Sequence, residues 1–190
     1  MNGLDPRHPL VLDTRALNLA RRPGSMVTVT RNVPSPENMG VAMARVLSGS
    51  PIELDLRLES VMEGVLVTGV ADVHVDAECA RCLEPFDWEE EVEFSELFAY
   101  PATDARGAII ESAEDESDEP LPMLVDDMID LEPLLRDSVV IGFPLAPVCS
   151  SDCAGLCSTC GIRLDDALGH KHDVIDPRWA ALTTLVGRED

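Results

Sequence analysis

Eight sulfur and imidazole donors, strung unevenly along the chain, constrain its fold more than any other feature. They are Cys79-Ala-Arg-Cys82, Cys149-Ser-Ser-Asp-Cys153, Cys157-Ser-Thr-Cys160-Gly161 and His170-Lys-His172. A C-x2-C turn lets two thiolates converge on one cation from a tight loop, and a small residue after it relieves crowding around the sulfurs. Zn²⁺ takes four N or S donors tetrahedrally, so eight suffice for two closed sites. In the preferred grouping Cys79, Cys82, Cys149 and Cys153 form one site, and Cys157, Cys160, His170 and His172 the other. A rival grouping gathers the four cysteines between 149 and 160, leaving Cys79 and Cys82 with the histidines or free. A third reading has one metal only. The preferred grouping staples the end of a strand to a segment far downstream and organises a tail too small to bury its own core.

The metal is expected to be structural. Catalytic zinc keeps an open position beside an acid or base. A redox C-x2-C usually begins a helix next to a strand, where the dipole lowers a thiol pKa; Cys79 instead ends a strand and leads into Leu83-Glu84-Pro85. A thiol oxidoreductase is therefore the alternative and not the expectation. No G-x-S-x-G, P-loop or Rossmann glycine pattern occurs. Carboxylates are too abundant for any pair to stand out, so no enzyme is expected. His8 and His74 read as surface histidines, the latter out of phase with Val73 and Val75.

Location follows the cysteines. The start, MNGLDPRHPLV, has no basic stretch followed by an apolar run and a cleavage site, so no secretion signal is expected. The longest apolar candidate, Val139 to Val148, is short and carries Pro144 and Pro147, so no membrane span is expected. The expected compartment is the reducing cytoplasm, where six cysteines hold metal and not disulfides.

Charge divides the chain. Residues 1–35 hold Arg7, Arg15, Arg21, Arg22 and Arg31 against Asp5 and Asp13, a balance of +3 within a net −22. An acidic body repels phosphate and favours basic partners; the basic N-terminal arm, residues 1–25, is the exception. Arg15, Arg21, Arg22 and Arg31 are the candidate RNA contacts.

Hydrophobic patterning gives the body, residues 26–148. Ile52, Leu54, Leu56 and Leu58 alternate with charged residues, and Val65, Val67, Gly69, Ala71, Val73 and Val75 resume the alternation after Met62-Glu63-Gly64. Two such strands around a short turn make a hairpin. Further strands are expected from Phe86 to Phe98 and from Met26 to Val33. Residues 111–119, ESAEDESDE, hold six acids in nine positions; with nothing to bury, the stretch from about 101 to 122 is expected to be a disordered linker. A helix over about 130–141 follows, with Asp130 as N-cap, a stripe of Leu131, Leu134, Leu135, Ser138 and Val139, and a stop at Gly142 and Pro144. The zinc-binding tail, residues 149–190, is expected to end in a helix with Asp176 as N-cap, Pro177 at its first position, and Trp179, Leu182 and Val186 in a stripe ending at Gly187. The fold class is α+β: an antiparallel sheet or open barrel, a covering helix and a small zinc-binding tail.

Several of these segments together resemble the bacterial YceD family. They are Leu56-Arg57-Leu58-Glu59-Ser60, Glu63 to Gly69, Cys79-Ala-Arg-Cys82-Leu83, Asp130-Leu131, Pro144 to Cys149, Cys153-Ala-Gly-Leu-Cys157, Cys160-Gly161 and Ile175-Asp176-Pro177-Arg178. Their order and spacing match over most of the chain. Members are named for a role in accumulation of large-subunit ribosomal RNA, and their gene commonly neighbours that of ribosomal protein L32, itself a small zinc protein. Some relatives lack the tail beyond the first zinc site, which supports the preferred grouping. Where the tail is long, cysteine often stands at the positions of His170 and His172. The resemblance implies a non-enzymatic cytoplasmic factor supporting large-subunit assembly or 23S rRNA accumulation. Its partner would be the pre-50S particle, 23S rRNA, or a basic ribosomal protein such as L32 held without RNA contact.

Overall fold

The computed structural model describes residues 3–101 and 121–172, together with Arg178. Most of the expected acidic linker and the expected C-terminal helix, Asp176 to Gly187, lie outside the described residues.

Period-two patterning does what it should. The alternating residues form β4 (Pro51–Ser60) and β5 (Gly64–Glu78), and the hairpin pairs Ser60 with Val65 and Glu53 with Asp72. Ile52, Leu54, Leu56 and Leu58 all turn inward and are buried. Each such side chain contributes roughly 1.5–3 kcal/mol relative to exposure. On the outer side β2 (Met26–Pro34) pairs with β4 along its whole length. β6 (Pro85–Ala99) pairs with β5 from Gly64↔Ala99 to Glu78↔Pro85. A strand has only two edges, so the two-residue β3 (Ala44–Arg45), paired to Ala77 and Asp76, continues the β4 side of β5 beyond the point where β4 stops. The sheet stays open and does not close into a barrel.

A second, two-stranded sheet joins β1 (Val11–Asp13) to β7 (Met128–Asp130), with Leu12 opposite Ile129. Three residues are too few to show an alternation in sequence, so neither strand was expected. They fix the N-terminal residues to the body: Leu10, Leu12 and Leu19 are each at most 1% exposed and belong to the main core. The stretch that reads as a basic arm thus packs its leucines inward.

Among the described residues one helix, α1 (Glu132–Gly142), covers the inner face through buried Leu131, Leu135 and Val139 and packs on β6. Its start differs from expectation. The N-cap is Leu131, not Asp130, because Asp130 is held extended by its pairing with Val11. Asp130 still serves the helix end, accepting the Glu132 N–H on Oδ1 at 3.0 Å, and Pro133 needs no donor so early in a helix. The helix ends at Gly142 as its Pro144 implies. Phe143 then packs edge-on against Trp88, which stacks on Phe86, joining the helix terminus to β6. Among the described residues no helix is long and apolar enough to cross a membrane.

Gly69 shows how tightly the sheet meets its core. It sits in a row between Leu56 and Phe94, and a Cβ there would lie 2.6 Å from Phe94 Cζ and 2.7 Å from Leu56 Cδ2. Gly69→Ala is expected to destabilise the fold by about 1–3 kcal/mol through overpacking. Urea unfolding of the two proteins measures it; equal midpoints would mean that the ring and leucine move aside without cost.

Candidate metal centres

The β5–β6 turn is built to present sulfur. Cys79 follows the last residue of β5, and Cys82 comes three residues before β6 begins. The Leu83 N–H donates to the Cys79 carbonyl at 2.8 Å, closing a loop around both thiols. In the tail the Gly161 N–H donates to the Cys157 carbonyl at 2.8 Å, the same ring one C-x2-C later. Both closing residues have positive φ, 62° at Leu83 and 73° at Gly161. Glycine adopts that region without strain, whereas leucine does not. Behind Cys82, then, the small residue expected after a C-x2-C is absent, and the backbone takes the same conformation in spite of the side chain.

Two sets of contacts fasten the segment after the helix onto this turn. In the backbone, the Ala80 N–H donates to the Pro147 carbonyl at 2.7 Å and the Leu156 N–H to the Arg81 carbonyl at 3.1 Å. In the side chains, Arg81 Nη1 donates to the carbonyls of Ser151 and Cys153 at 3.2 and 3.0 Å. The result brings Cys79, Cys82, Cys149 and Cys153 together with their Sγ atoms all within 4.8 Å of one another. Cys79–Cys153 is 3.8 Å and Cys82–Cys149 is 3.7 Å. A tetrahedral ion bonded to sulfur at about 2.3 Å, the Zn–S value, has S···S edges of about 3.8 Å. The four sulfurs fit such an ion. Cys79, Cys82 and Cys153 are buried against Phe86 and Val148 in a small core of their own, while Cys149 is exposed.

The second group assembles from the tail. The Cys157 N–H donates to Ile162 and the Leu164 N–H to Gly155, making a short hairpin with Cys157 and Cys160 at its tip. Arg163, 3.3 Å from Glu84, ties this hairpin back to the β5–β6 turn. His170 Nε2 and His172 Nε2 lie 3.2 and 3.1 Å from Cys160 Sγ and 2.8 Å from each other. With Cys157 these donors also fall within 4.8 Å of one another. A tetrahedral ion with bonds of 2.0–2.1 Å to nitrogen and 2.3 Å to sulfur would set these three edges at about 3.3–3.6 Å. The donors aim at one point but close on a smaller space than the first group. Cys160 and His172 are exposed, so small ring movements suffice to open it.

Thiol electrostatics differ within each group. Burial pushes the Cys79 thiol up, but the backbone N–H groups of Cys149, Cys82 and Arg81 outweigh it and bring it down to about 6. The hydrogen bond to Cys79 pushes the Cys149 thiol up to about 12, and burial pushes Cys153 up. Neighbouring thiols cannot all ionise without a cation between them; a bound metal removes that obstacle and releases their protons. In the tail, the N–H groups of Thr159 and Cys160 hold Cys157 down to about 6.

Three of the four candidate RNA-contacting arginines make contacts within the chain. Arg15 Nε donates to Asp127 at 2.6 Å, beside β7. Arg21 stacks over Tyr100 at 4.9 Å from the ring centre, and Arg31 Nη1 donates to the carbonyls of Pro9 and Val11 at 2.9 and 3.2 Å. Arg22 is exposed. His74 lies on the outer face, as its phase implies, with Nδ1 2.9 Å from Glu89, which raises its pKa above the ordinary 6.5. Sequence reasoning missed Arg81 as the residue joining the two cysteine-bearing loops; a lone arginine between two cysteines carries no signal for that role.

Residues 67–186 match the family described as Large ribosomal RNA subunit accumulation protein YceD. This chain belongs to that family. Curated relatives agree along nearly all of it. The uncharacterized protein Rv2926c of Mycobacterium tuberculosis (strain H37Rv) is 43% identical over 183 residues, 95% of this chain and 83% of that protein. The uncharacterized protein ML1660 of Mycobacterium leprae is 41% identical over 178 residues, 94% of this chain and 78% of the relative. No solved structure matches the chain.

The Cys157 thiol gives a pH test. Its depressed pKa favours the thiolate, which is the reactive form, so its reactivity is full well above about 6 and falls as pH drops through that value. Metal-free protein given limiting iodoacetamide at pH 7 is expected to label Cys157 ahead of buried Cys79 and Cys153, and the rate at Cys157 is expected to fall about tenfold at pH 5 as its thiolate is protonated. Mass spectrometry of the peptides reads the order. Labelling of Cys79 first would contradict this arrangement of the tail.

Proposed function

We propose that this protein supports large ribosomal subunit accumulation as a non-enzymatic, zinc-stapled scaffold that contacts a basic ribosomal protein. Membership in a family described by ribosomal RNA accumulation supports the ribosomal role. The donor sets support zinc: four thiolates in one group, two thiolates and two imidazoles in the other, and no carboxylate in either. Zinc held there would supply folding energy and join the body, residues 26–148, to the tail, residues 149–190. Four donors per site leave no open position, which supports a structural role over a catalytic one.

The observation that carries the choice of a protein partner is the employment of the arginines. Arg15, Arg21 and Arg31 serve contacts within the chain, and the chain carries a net charge of −22. The outer face of the sheet sets Glu53, Asp72 and Glu91 side by side across three strands. Directly opposed like charges destabilise a sheet by up to roughly 1 kcal/mol per pair. A surface that tolerates such rows of acids attracts a basic partner and repels a phosphate backbone.

In a host that depends on this protein, its loss is expected to deplete mature large subunits, read by sucrose-gradient profiles. Joint replacement of Arg15, Arg21, Arg22 and Arg31 by Gln should restore the profile whenever the variant folds. Cys82→Ser should not restore it, and the purified variant should carry one zinc fewer than the parent. Failure of a folded arginine variant, with loss of crosslinks to 23S rRNA, would transfer the role to direct RNA contact. A metal-free parent protein that still restores the profile would remove zinc from the account.

A further inference from the structure

Helix α1 presents more apolar surface than the sheet covers. Leu135 and Val139 are buried and Leu134 is partly buried against the same core, while Ile141, seven positions on from Leu134, is left 85% exposed. Across from them stand Met123 and Val125, 58% and 45% exposed, on either side of buried Leu124. The Leu124 N–H donates to the Ala99 carbonyl, so this segment is held against the end of β6 and not left loose. Between helix and segment runs a groove of about 840 Å³ that reaches Phe94 of the core. In a chain this acidic, large apolar side chains gathered on one exposed groove mark an interaction site.

The groove's charge selects the occupant. Its polar lining includes Glu93, Glu96, Asp130 and Asp137, and no lysine or arginine stands among the described residues that line it. Apolar walls with an acidic rim exclude a nucleic-acid backbone and complement a segment with leucine-like residues on one face and lysine or arginine on the other. We infer that this groove docks a basic amphipathic segment of a protein partner. The inference rests on the protein-partner reading above and assigns that contact to a place. Apolar side chains of the segment insert between Ile141 and the Met123–Val125 wall, and its cations meet the four carboxylates.

The test uses the full-length, metal-loaded protein and fluorescence anisotropy of a labelled amphipathic Leu/Lys peptide. A Leu/Glu peptide of the same pattern and a single-stranded RNA serve as alternative probes. The Leu/Lys peptide is expected to bind, and Ile141→Ser, Met123→Ser and Asp137→Lys are each expected to weaken it about tenfold or more. Glu37→Lys, an exposed position outside the groove, should change it little. These positions are exposed at the surface, so unchanged thermal melts are expected and separate lost docking from lost folding. Peptide binding that is equal in all the groove variants overturns this assignment and leaves the protein-partner reading standing. No binding of any basic peptide overturns both. Binding that requires Leu182→Ser would show the chain's own tail in the groove, and a dimer dispersed by Ile141→Ser would show a second copy there; either result overturns the inference. So does binding of the RNA that Ile141→Ser weakens.

Discussion

Sulfur atoms from the β5–β6 turn meet sulfur atoms that the chain supplies only after the helix. Cys79 and Cys153 are 74 positions apart, yet their Sγ atoms are 3.8 Å apart. Closing a loop of that size costs about 4–5 kcal/mol of chain entropy. The backbone bonds from Ala80 and Leu156 and the two from Arg81 offset part of this, at roughly 1 kcal/mol each. The zinc site proposed for these thiolates would contribute about 10–16 kcal/mol and would decide the balance. Without a cation, Cys149 keeps its proton in a hydrogen bond to Cys79, and its thiol is pushed up to about 12.

The tail's geometry depends on that first junction. Leu156 hydrogen-bonds to Arg81, Arg163 pairs with Glu84, and the hairpin carrying Cys157 and Cys160 hangs between those two contacts. The second group is thus anchored on the turn that holds the first. Its donors are more exposed and more tightly drawn together, which suits a site that adjusts on binding. The first is a small buried core whose packing against Phe86 and Val148 already fixes three sulfurs.

Much of this was legible in the sequence because long elements advertise their period. The alternation from Ile52 to Val75 defined a hairpin and its inward face, and the Gly142 and Pro144 punctuation placed the helix end. Donor spacing alone left three groupings of the ligands open, since a C-x2-C records which residues form a loop and not which loops meet. Strands β1 and β7 were invisible because three residues hold barely one period. That omission hid the packing of the N-terminal leucines, and with it the contacts of Arg15 to Asp127 and of Arg31 to the Pro9 and Val11 carbonyls. The displaced helix cap has the same origin: Asp130 looks like a cap in sequence, and its pairing with Val11 makes it the end of a strand.

The most direct test of the central claim is zinc K-edge X-ray absorption on the protein purified without added chelator, paired with Cys157→Ser/Cys160→Ser protein. The account predicts a mixed sulfur and nitrogen shell in the parent, resolving in the variant to four sulfurs at about 2.3 Å with no nitrogen. A variant shell containing nitrogen or oxygen, or a folded parent with no zinc edge, would contradict it.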